Sequence, residues 1–254
     1  MSSKSIPRDV AFLDPAKLPQ HVAMIMDGNG RWAKKRLLNR IQGHEKGADT
    51  VRAVVEACRE IGIPYLTLFA FSTENWQRPQ REVDALMTLL KKFLEGEREE
   101  LQKNGIRLTV IGETARLPQN VRQSIDEVVA ATAANDKLRL ILALSYGGRA
   151  EIVRMARELA TAVADGQLRP DQIDHDRVAR SLYTPDIPDP DILVRTSGEM
   201  RISNFLLWQI AYAELYFTPT LWPDFGKEEF CQILREYQQR DRRYGKVDPG
   251  AGPA

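Results

Sequence analysis

The sequence predicts an α/β protein with a central, mostly parallel sheet flanked by helices. Short apolar runs alternate with longer amphipathic segments, the order expected of strand–helix–strand units. Those runs are nearly continuous in apolar residues rather than alternating, as in strands covered on both faces. Most of them end in glycine, serine or charged residues, at the edge where such sheets place their ligands.

Residues 21–26, HVAMIM, read as a buried strand that ends in the turn Asp27-Gly28-Asn29-Gly30. Residues 43–61 set Ala48, Val51, Val54, Val55, Cys58 and Ile61 on one helical face. Residues 64–71, PYLTLFAF, form a second strand. Pro79 then stands where a helix can begin, with Val83, Leu86, Leu90 and Leu94 at three- and four-residue steps. A strand over 106–111 and a helix over 118–134 follow. Next come a strand over 138–145, closed by Gly147-Gly148, and a helix over 151–163. Residues 191–196, DILVRT, make the last predicted strand, and 227–242 a charged amphipathic helix. With no repeat and no linker, the expected organisation is an N-terminal extension over 1–20, a single domain over 21–244 and a disordered tail over 245–254.

Composition narrows the function classes. Lys+Arg number 36 and Asp+Glu 35, so no global charge footprint for nucleic acid exists and anion recognition must be local. Cys58 and Cys231 have neither metal-ligand nor disulfide-framework spacing and suit a reducing compartment. The longest apolar stretch, 205–217, is broken by Gln209 and Glu214 and is shorter than the ~20 residues of a spanning helix. The N-terminus lacks the pattern of a signal peptide. A soluble, cytoplasmic protein is expected, with room for peripheral contact with a bilayer.

The segment 24–32, MIMDGNGRW, carries the strongest chemical signal. A strand delivers Asp27 to its carboxyl end, and Gly28 and Gly30 let backbone approach a ligand closely. One aspartate there suits Mg²⁺, which uses one or two carboxylates plus phosphate oxygens; an ordinary strand–turn–helix junction has the same local pattern. Other strand ends add polar sets: Ser72, Thr73, Glu74, Asn75, Trp76 and Arg78 after one, Ser197, Gly198, Glu199, Arg201, Ile202 and Ser203 after another. Arg31, Arg40, Arg78, Arg195 and Arg201 all fall near predicted strand ends without a matching excess of acids, which points to a polyanion site. Spacing alone leaves Trp32 and Trp76 open between substrate wall and packing, and favours packing for His44.

The blocks HVAMIMDGNGRWAKK, GHEKG, LTLFAFSTENWQRP, ALSYGGR and RTSGEMRISNFLLWQIAYAELYFTPTLWP resemble, in order, the signature segments of the cis-prenyltransferases, above all the undecaprenyl diphosphate synthases. The resemblance covers residues 21–244. It implies an enzyme that condenses isopentenyl diphosphate onto an allylic diphosphate primer, farnesyl diphosphate, with cis double bonds. The product would be a long polyprenyl diphosphate such as undecaprenyl diphosphate, precursor of a lipid carrier for cell-wall polysaccharide. It further implies a Mg²⁺ cofactor, a homodimer formed partly through residues 201–217, and a hydrophobic tunnel for the growing chain.

Carried over by position, Asp27 matches the essential Mg²⁺-associated aspartate. Gly28, Asn29, Gly30 and Arg31 match the loop that grips the allylic diphosphate, with Trp32, Arg40 and His44 beside it. Ser72, Thr73, Glu74, Asn75, Trp76 and Arg78 match a segment closing over the substrates, in which Asn75 is credited with the proton step. A neutral amide is a poor base, so Asn75 is better assigned to orientation. Arg195, Arg201, Ile202 and Ser203 match the isopentenyl diphosphate pocket. Glu214 matches a second metal-associated carboxylate near the subunit interface, and Leu138 a far-tunnel position limiting product length. Tunnel candidates by pattern are Leu86, Leu90, Ile106, Leu138 and Leu142, although for each of them the pattern favours plain core. Two departures stand out: Leu37, Leu38 and Asn39 replace a stretch where the family commonly carries a glycine near Leu37, and Met200 lies where some members have a histidine able to reach a metal. A non-catalytic partner subunit, also found among such relatives, would not need Asp27, Arg31, Arg78, Arg195 and Glu214. A phosphatase or kinase would leave the tunnel and the missing nucleotide motif unexplained.

Overall fold

The computed structural model describes residues 12–240. The expected tail over 245–254, most of the N-terminal extension and the last residues of the predicted 227–242 helix lie outside them. Six strands form one sheet: β1 (His21–Ile25), β2 (Tyr65–Ser72), β3 (Ile106–Ile111), β4 (Leu138–Tyr146), β5 (Ile192–Arg195) and β6 (Glu214–Phe217). Their order is β3-β4-β2-β1-β5-β6, and every neighbouring pair is parallel. Among the described residues seven α-helices accompany them: α1 (Asn29–Lys35), α2 (Arg40–Ile61), α3 (Gln80–Lys103), α4 (Gln119–Thr132), α5 (Gly148–Ala164), α6 (His175–Arg180) and α7 (Lys227–Gln238).

The near-continuous apolar runs follow from burial of both sheet faces. All five residues of β1 are buried. Val22, Met24, Leu66, Leu68, Leu140 and Leu142 join the main core, which takes in residues of α2, α3, α4 and α7. Ala23, Ile25, Ile141, Ala143 and Leu193 face the other way, onto Phe205, Leu206 and Ile210. That second face is thus covered largely by irregular chain, with Met155 and Leu159 of α5 packing in a separate cluster that includes Trp208. Complete burial of a leucine such as Leu66 or Leu68 contributes roughly 1.5–3 kcal/mol.

Three elements escape the sequence pattern. With seven residues α1 is too short to show a period, and α6, with six, shorter still. β6 is a four-residue edge strand at the end of the 205–217 run, which has no glycine or proline to mark where the strand begins. Since β1 lies between β2 and β5, the chain departs from it toward both edges of the sheet, and the carboxyl end of β1 is a topological switch point.

The link between α1 and α2 contains an unusual residue. Leu38 N donates to Ala33 O (2.9 Å) and Leu37 N to Lys34 O (3.2 Å), the paired bonds that close a helix around a left-handed residue. That residue is Leu37, at φ +56° and 97% exposed, where glycine would be unstrained. Leu37→Gly is therefore expected to stabilise the protein by about 1 kcal/mol, read as a rise in the midpoint of urea unfolding; an unchanged or lower midpoint would contradict the strain.

His21 is buried at the start of β1, with Nδ1 2.6 Å from Pro188 O and Nε2 2.7 Å from Thr67 Oγ1. Burial pushes its pKa down to about 4 from 6.5, against the opposing pull of Pro188 and Asp191. The folded state therefore binds fewer protons than the unfolded chain between those values, and stability is lost as pH falls from 6.5 to 4. The full effect is about 3 kcal/mol. Chemical denaturation across this window should show a steeper loss for the wild type than for His21→Gln; parallel curves would contradict the assignment.

Candidate active site

The site lies at the switch point, and its centre is the turn after β1. Asp27 N donates to Thr196 Oγ1 (3.0 Å), while Thr196 Oγ1 (2.7 Å) and Trp222 N (3.0 Å) both donate to Asp27 O. This clamp ties the turn to the end of β5 and to the chain before α7. Gly28, at φ +111°, turns the chain into α1, with Leu221 against the place a Cβ would occupy. The opening of α1 then seats on α2 where side chains are missing. A Cβ on Gly43 would lie 2.2 Å from Asn29 O, and one on Gly47 would lie 2.4 Å from Asn29 Oδ1. The two glycines of the GHEKG block thus form the groove that holds the loop.

Asp27 Oδ2 accepts from Arg195 Nη2 (2.9 Å) and Arg31 Nη2 (3.3 Å). Burial opposes its ionisation, but Arg195, Ser197 and Arg31 outweigh that and hold the carboxyl below the usual range. Arg195 is itself buried, and Nη1 donates to Ser203 Oγ (2.7 Å) and to Arg201 O. Arg31 also reaches Ser197 Oγ (2.5 Å) and Glu199 (3.1 Å), and Glu199 in turn binds Arg201 (2.5 Å). Across the rim, Glu82 bridges Arg40 and Arg78, at 3.1 Å from each.

The expectation that these arginines lack nearby acids therefore does not hold. Asp27, Glu82 and Glu199, scattered over 172 residues of sequence, each bridge two guanidiniums once the chain folds. Asp27 and Glu199 stood in segments already marked by motif, whereas nothing local distinguishes Glu82 from the other acids of α3. The five guanidiniums still outnumber their three carboxylates, so the rim keeps an excess of positive charge.

Beneath the rim opens a cavity of about 690 Å³ between the sheet and α2 and α3, within the size range of small-molecule sites. Asp27, Asn29, His44, Ser72, Glu74, Asn75, Arg78, Arg195, Arg201 and Ser203 line its polar part. Leu68, Phe71, Leu86, Met87, Leu90, Phe93, Leu142 and Leu144 line its apolar part. The segment after β2 is held in place by side-chain bonds. Asn75 Oδ1 accepts from Ser72 N (3.2 Å), Trp76 Nε1 donates to Ser145 Oγ (2.9 Å), and Glu74 Oε1 accepts from Asn204 Nδ2 (2.9 Å). Asn204, absent from the sequence expectations, also accepts Arg149 N at Oδ1 (2.8 Å) and Gly148 N at its carbonyl (2.7 Å), tying three loops together. His44 is pushed to about 4 by burial first and by Arg78 next, so it faces the cavity neutral.

Several expected residues lie off the cavity wall. Trp32 packs with Ala33 and Leu221, donates to Asp224 (2.7 Å) and carries Arg36 over its ring at 4.2 Å. Trp76 stands edge-on to Phe71 behind the wall, Ile202 packs against the second core face, and Arg31 and Arg40 act at the rim. Thr73 instead contacts the Gly147 turn, and Gly30 makes space for the Arg40 guanidinium. Ile106 and Leu138 pair across β3 and β4 as buried core and do not line the cavity. Glu214 is level with Val22 through the β1–β5–β6 register, at least about 10 Å upstream of the β1 end. It bonds Arg240 (2.5 Å) instead, so within one chain it does not converge with Asp27.

The family model described as "Putative undecaprenyl diphosphate synthase" matches residues 25–245. The chain belongs to that family. It is a prenyltransferase, and its curated relatives include the isoprenyl transferases of Geobacter sulfurreducens, 52% identical over 92% of this chain and 96% of that one, and of Heliobacterium mobile, 51% identical over 92% and 90%. The lavandulyl diphosphate synthase of Lavandula x intermedia, solved in complex with dimethylallyl diphosphate, superposes with a TM-score of 0.88. It is 39% identical and covers 91% of this chain and 100% of its own. All six strands of the prenyltransferase sheet are parallel, and among the described residues no helix is long and apolar enough to cross a membrane.

Gly43→Ala, in the groove that seats α1, should place a methyl against a backbone carbonyl that has little room to retreat. Despite the roughly 1 kcal/mol gain in helix propensity, the variant is expected to be less stable and to bind diphosphate at least tenfold more weakly. Calorimetry with inorganic diphosphate checks this, and unaltered affinity would show that α1 is not positioned by the groove.

Proposed function

We propose that this prenyltransferase condenses isopentenyl diphosphate units onto an allylic diphosphate, with farnesyl diphosphate as primer, forming cis double bonds and a long polyprenyl diphosphate such as undecaprenyl diphosphate. One observation carries the reading: an arginine-rich rim around an ionised aspartate opens directly into an apolar cavity of about 690 Å³. A molecule with a doubly phosphorylated head and a hydrocarbon tail has the matching polarity.

In this reading the allylic C–O bond breaks, diphosphate leaves, the allylic carbon bonds to the terminal carbon of isopentenyl diphosphate, and that unit gives up one proton. Negative charge grows on the leaving oxygens. Arg31, Arg40 and Arg78 would exchange their carboxylate partners for those oxygens and stabilise the charge where it develops. Arg195, Arg201 and Ser203 would hold the second diphosphate and align its double bond with the reacting carbon, an advantage of positioning. Neutral His44 can donate or accept a hydrogen bond without adding charge.

The donor set at the switch point fits Mg²⁺ bound by one carboxylate and by substrate phosphate oxygens: Asp27 is ionised and faces the cavity, and no cluster of three or more metal-type side chains occurs among the described residues. Asp27 would hold the ion, which when bound supplies further neutralisation of the diphosphate. Asp27, held ionised by two guanidiniums, is a weak proton acceptor, and Asn75 is a neutral amide already accepting from Ser72 N. The departing proton therefore goes to a diphosphate oxygen.

The homodimer belongs to this reading as well, supported by an edge strand whose Leu215, with nearby Tyr212, is exposed. Incubation with Mg²⁺, farnesyl diphosphate and labelled isopentenyl diphosphate should yield extractable lipid whose mass rises in five-carbon steps. Label confined to the aqueous phase at saturating substrate would refute the synthase. Asp27→Asn keeps the shape of the turn and should lower turnover at least 10²-fold with an unchanged circular dichroism spectrum; near-normal rates would remove Asp27 from the reaction.

A further inference from the structure

We propose that the link between α1 and α2 is a membrane-docking surface, in which Leu37 and Leu38 enter the headgroup boundary of an anionic bilayer and Lys34 and Lys35 face its phosphates. The first observation is steric. Leu37 adopts a left-handed conformation that disfavours any side chain with a Cβ, and almost none of that side chain touches the fold. The helix-closing bonds around it are backbone bonds that glycine would make equally well. Inside the protein the leucine has a conformational cost and no contact to offset it. Leu38 beside it is also exposed, so two large apolar side chains project from one tight turn.

Charge is the second observation. In a chain with near-equal numbers of acids and bases, residues 28–44 contain no Asp or Glu, and residues 31–40 contain five basic residues. Arg31, Arg36 and Arg40 are bonded to carboxylates within the fold, whereas Lys34 and Lys35 have no ion-pair partner among the described residues. Exposed leucines ringed by unpaired lysines suit the boundary of an anionic bilayer, where apolar side chains sink past the headgroups and ammonium groups stay with the phosphates.

Position is the third. Arg40, two residues beyond Leu38, shares Glu82 with Arg78, which lines the cavity. Docking through Leu37 would hold the polar rim against the membrane surface. This placement is independent of which lipid the enzyme makes, so its test is a binding measurement and does not require turnover.

The full chain is sedimented with vesicles of phosphatidylcholine, with and without phosphatidylglycerol. The expected result is binding to the anionic vesicles that weakens as salt is raised, with little binding to neutral ones. The Leu37→Asp, Leu38→Asp double variant should lose at least tenfold in affinity, and so should Lys34→Glu, Lys35→Glu. Leu37→Gly should also bind more weakly although it is the more stable protein, which separates lost docking from lost folding. All variants should keep wild-type turnover with soluble substrates in detergent. Wild-type protein that ignores anionic vesicles, or variants that bind them as it does, would overturn the proposal. So would variants whose vesicle affinity holds while their oligomeric state changes, which would assign the patch to a protein interface.

Discussion

The pairing of Asp27 with Arg195 is the constraint on which the site depends. Arg195 ends β5 and Asp27 follows β1, and these strands are neighbours in register, so the two side chains meet only because the sheet order sets β5 beside β1. A buried guanidinium without a counter-charge would be strongly destabilising, and so would a partly buried carboxylate in the same place. Together they are stable, and further bonds from Thr196, Trp222, Arg31 and Ser203 hold them at one orientation. The ion pair is thus a product of the fold and also the framework on which the arginine-rich rim is hung.

The two halves of the cavity follow different rules. Its apolar half is continuous with the main core, and the same periodicity that builds α3 places Leu86, Leu90 and Phe93 toward it. Its polar half is assembled from loop residues after β1, β2 and β5, with Ser197, Ser203 and Asn204 all at positive φ. Such conformations are costly for non-glycine residues and persist where surrounding bonds over-determine them. Asn204 shows how: its side chain and carbonyl engage Glu74, Arg149 and Gly148 at once.

Strands and long helices were legible in the sequence because burial of both sheet faces leaves unbroken apolar runs, and because α2 and α3 are long enough to show their period. Asp27, Arg78, Arg195 and Ser203 were legible because each follows such a run. The pairing of Glu82 with Arg40 and Arg78 was not, since Glu82 reaches Arg40 across 42 residues of chain and no local pattern records a long-range pair. The interior end of the cavity was not legible either: Leu138 and Leu142 lie on one strand and look alike in sequence, yet of the two Leu142 reaches the open space. The departure at Leu37, visible as a missing glycine, acquired its meaning only with a backbone angle.

The bridging carboxylates have a thermodynamic consequence for selectivity. Because Asp27, Glu82 and Glu199 already pair with the guanidiniums, an incoming anion competes with these residents for the rim's surplus positive charge, and a lone monoanion can take the place of only one of them. Only a ligand that brings several oxygens to several arginines in one event can outbid them together. The enzyme is in that sense pre-loaded with its own competitors, which a single chloride or stray carboxylate cannot displace together.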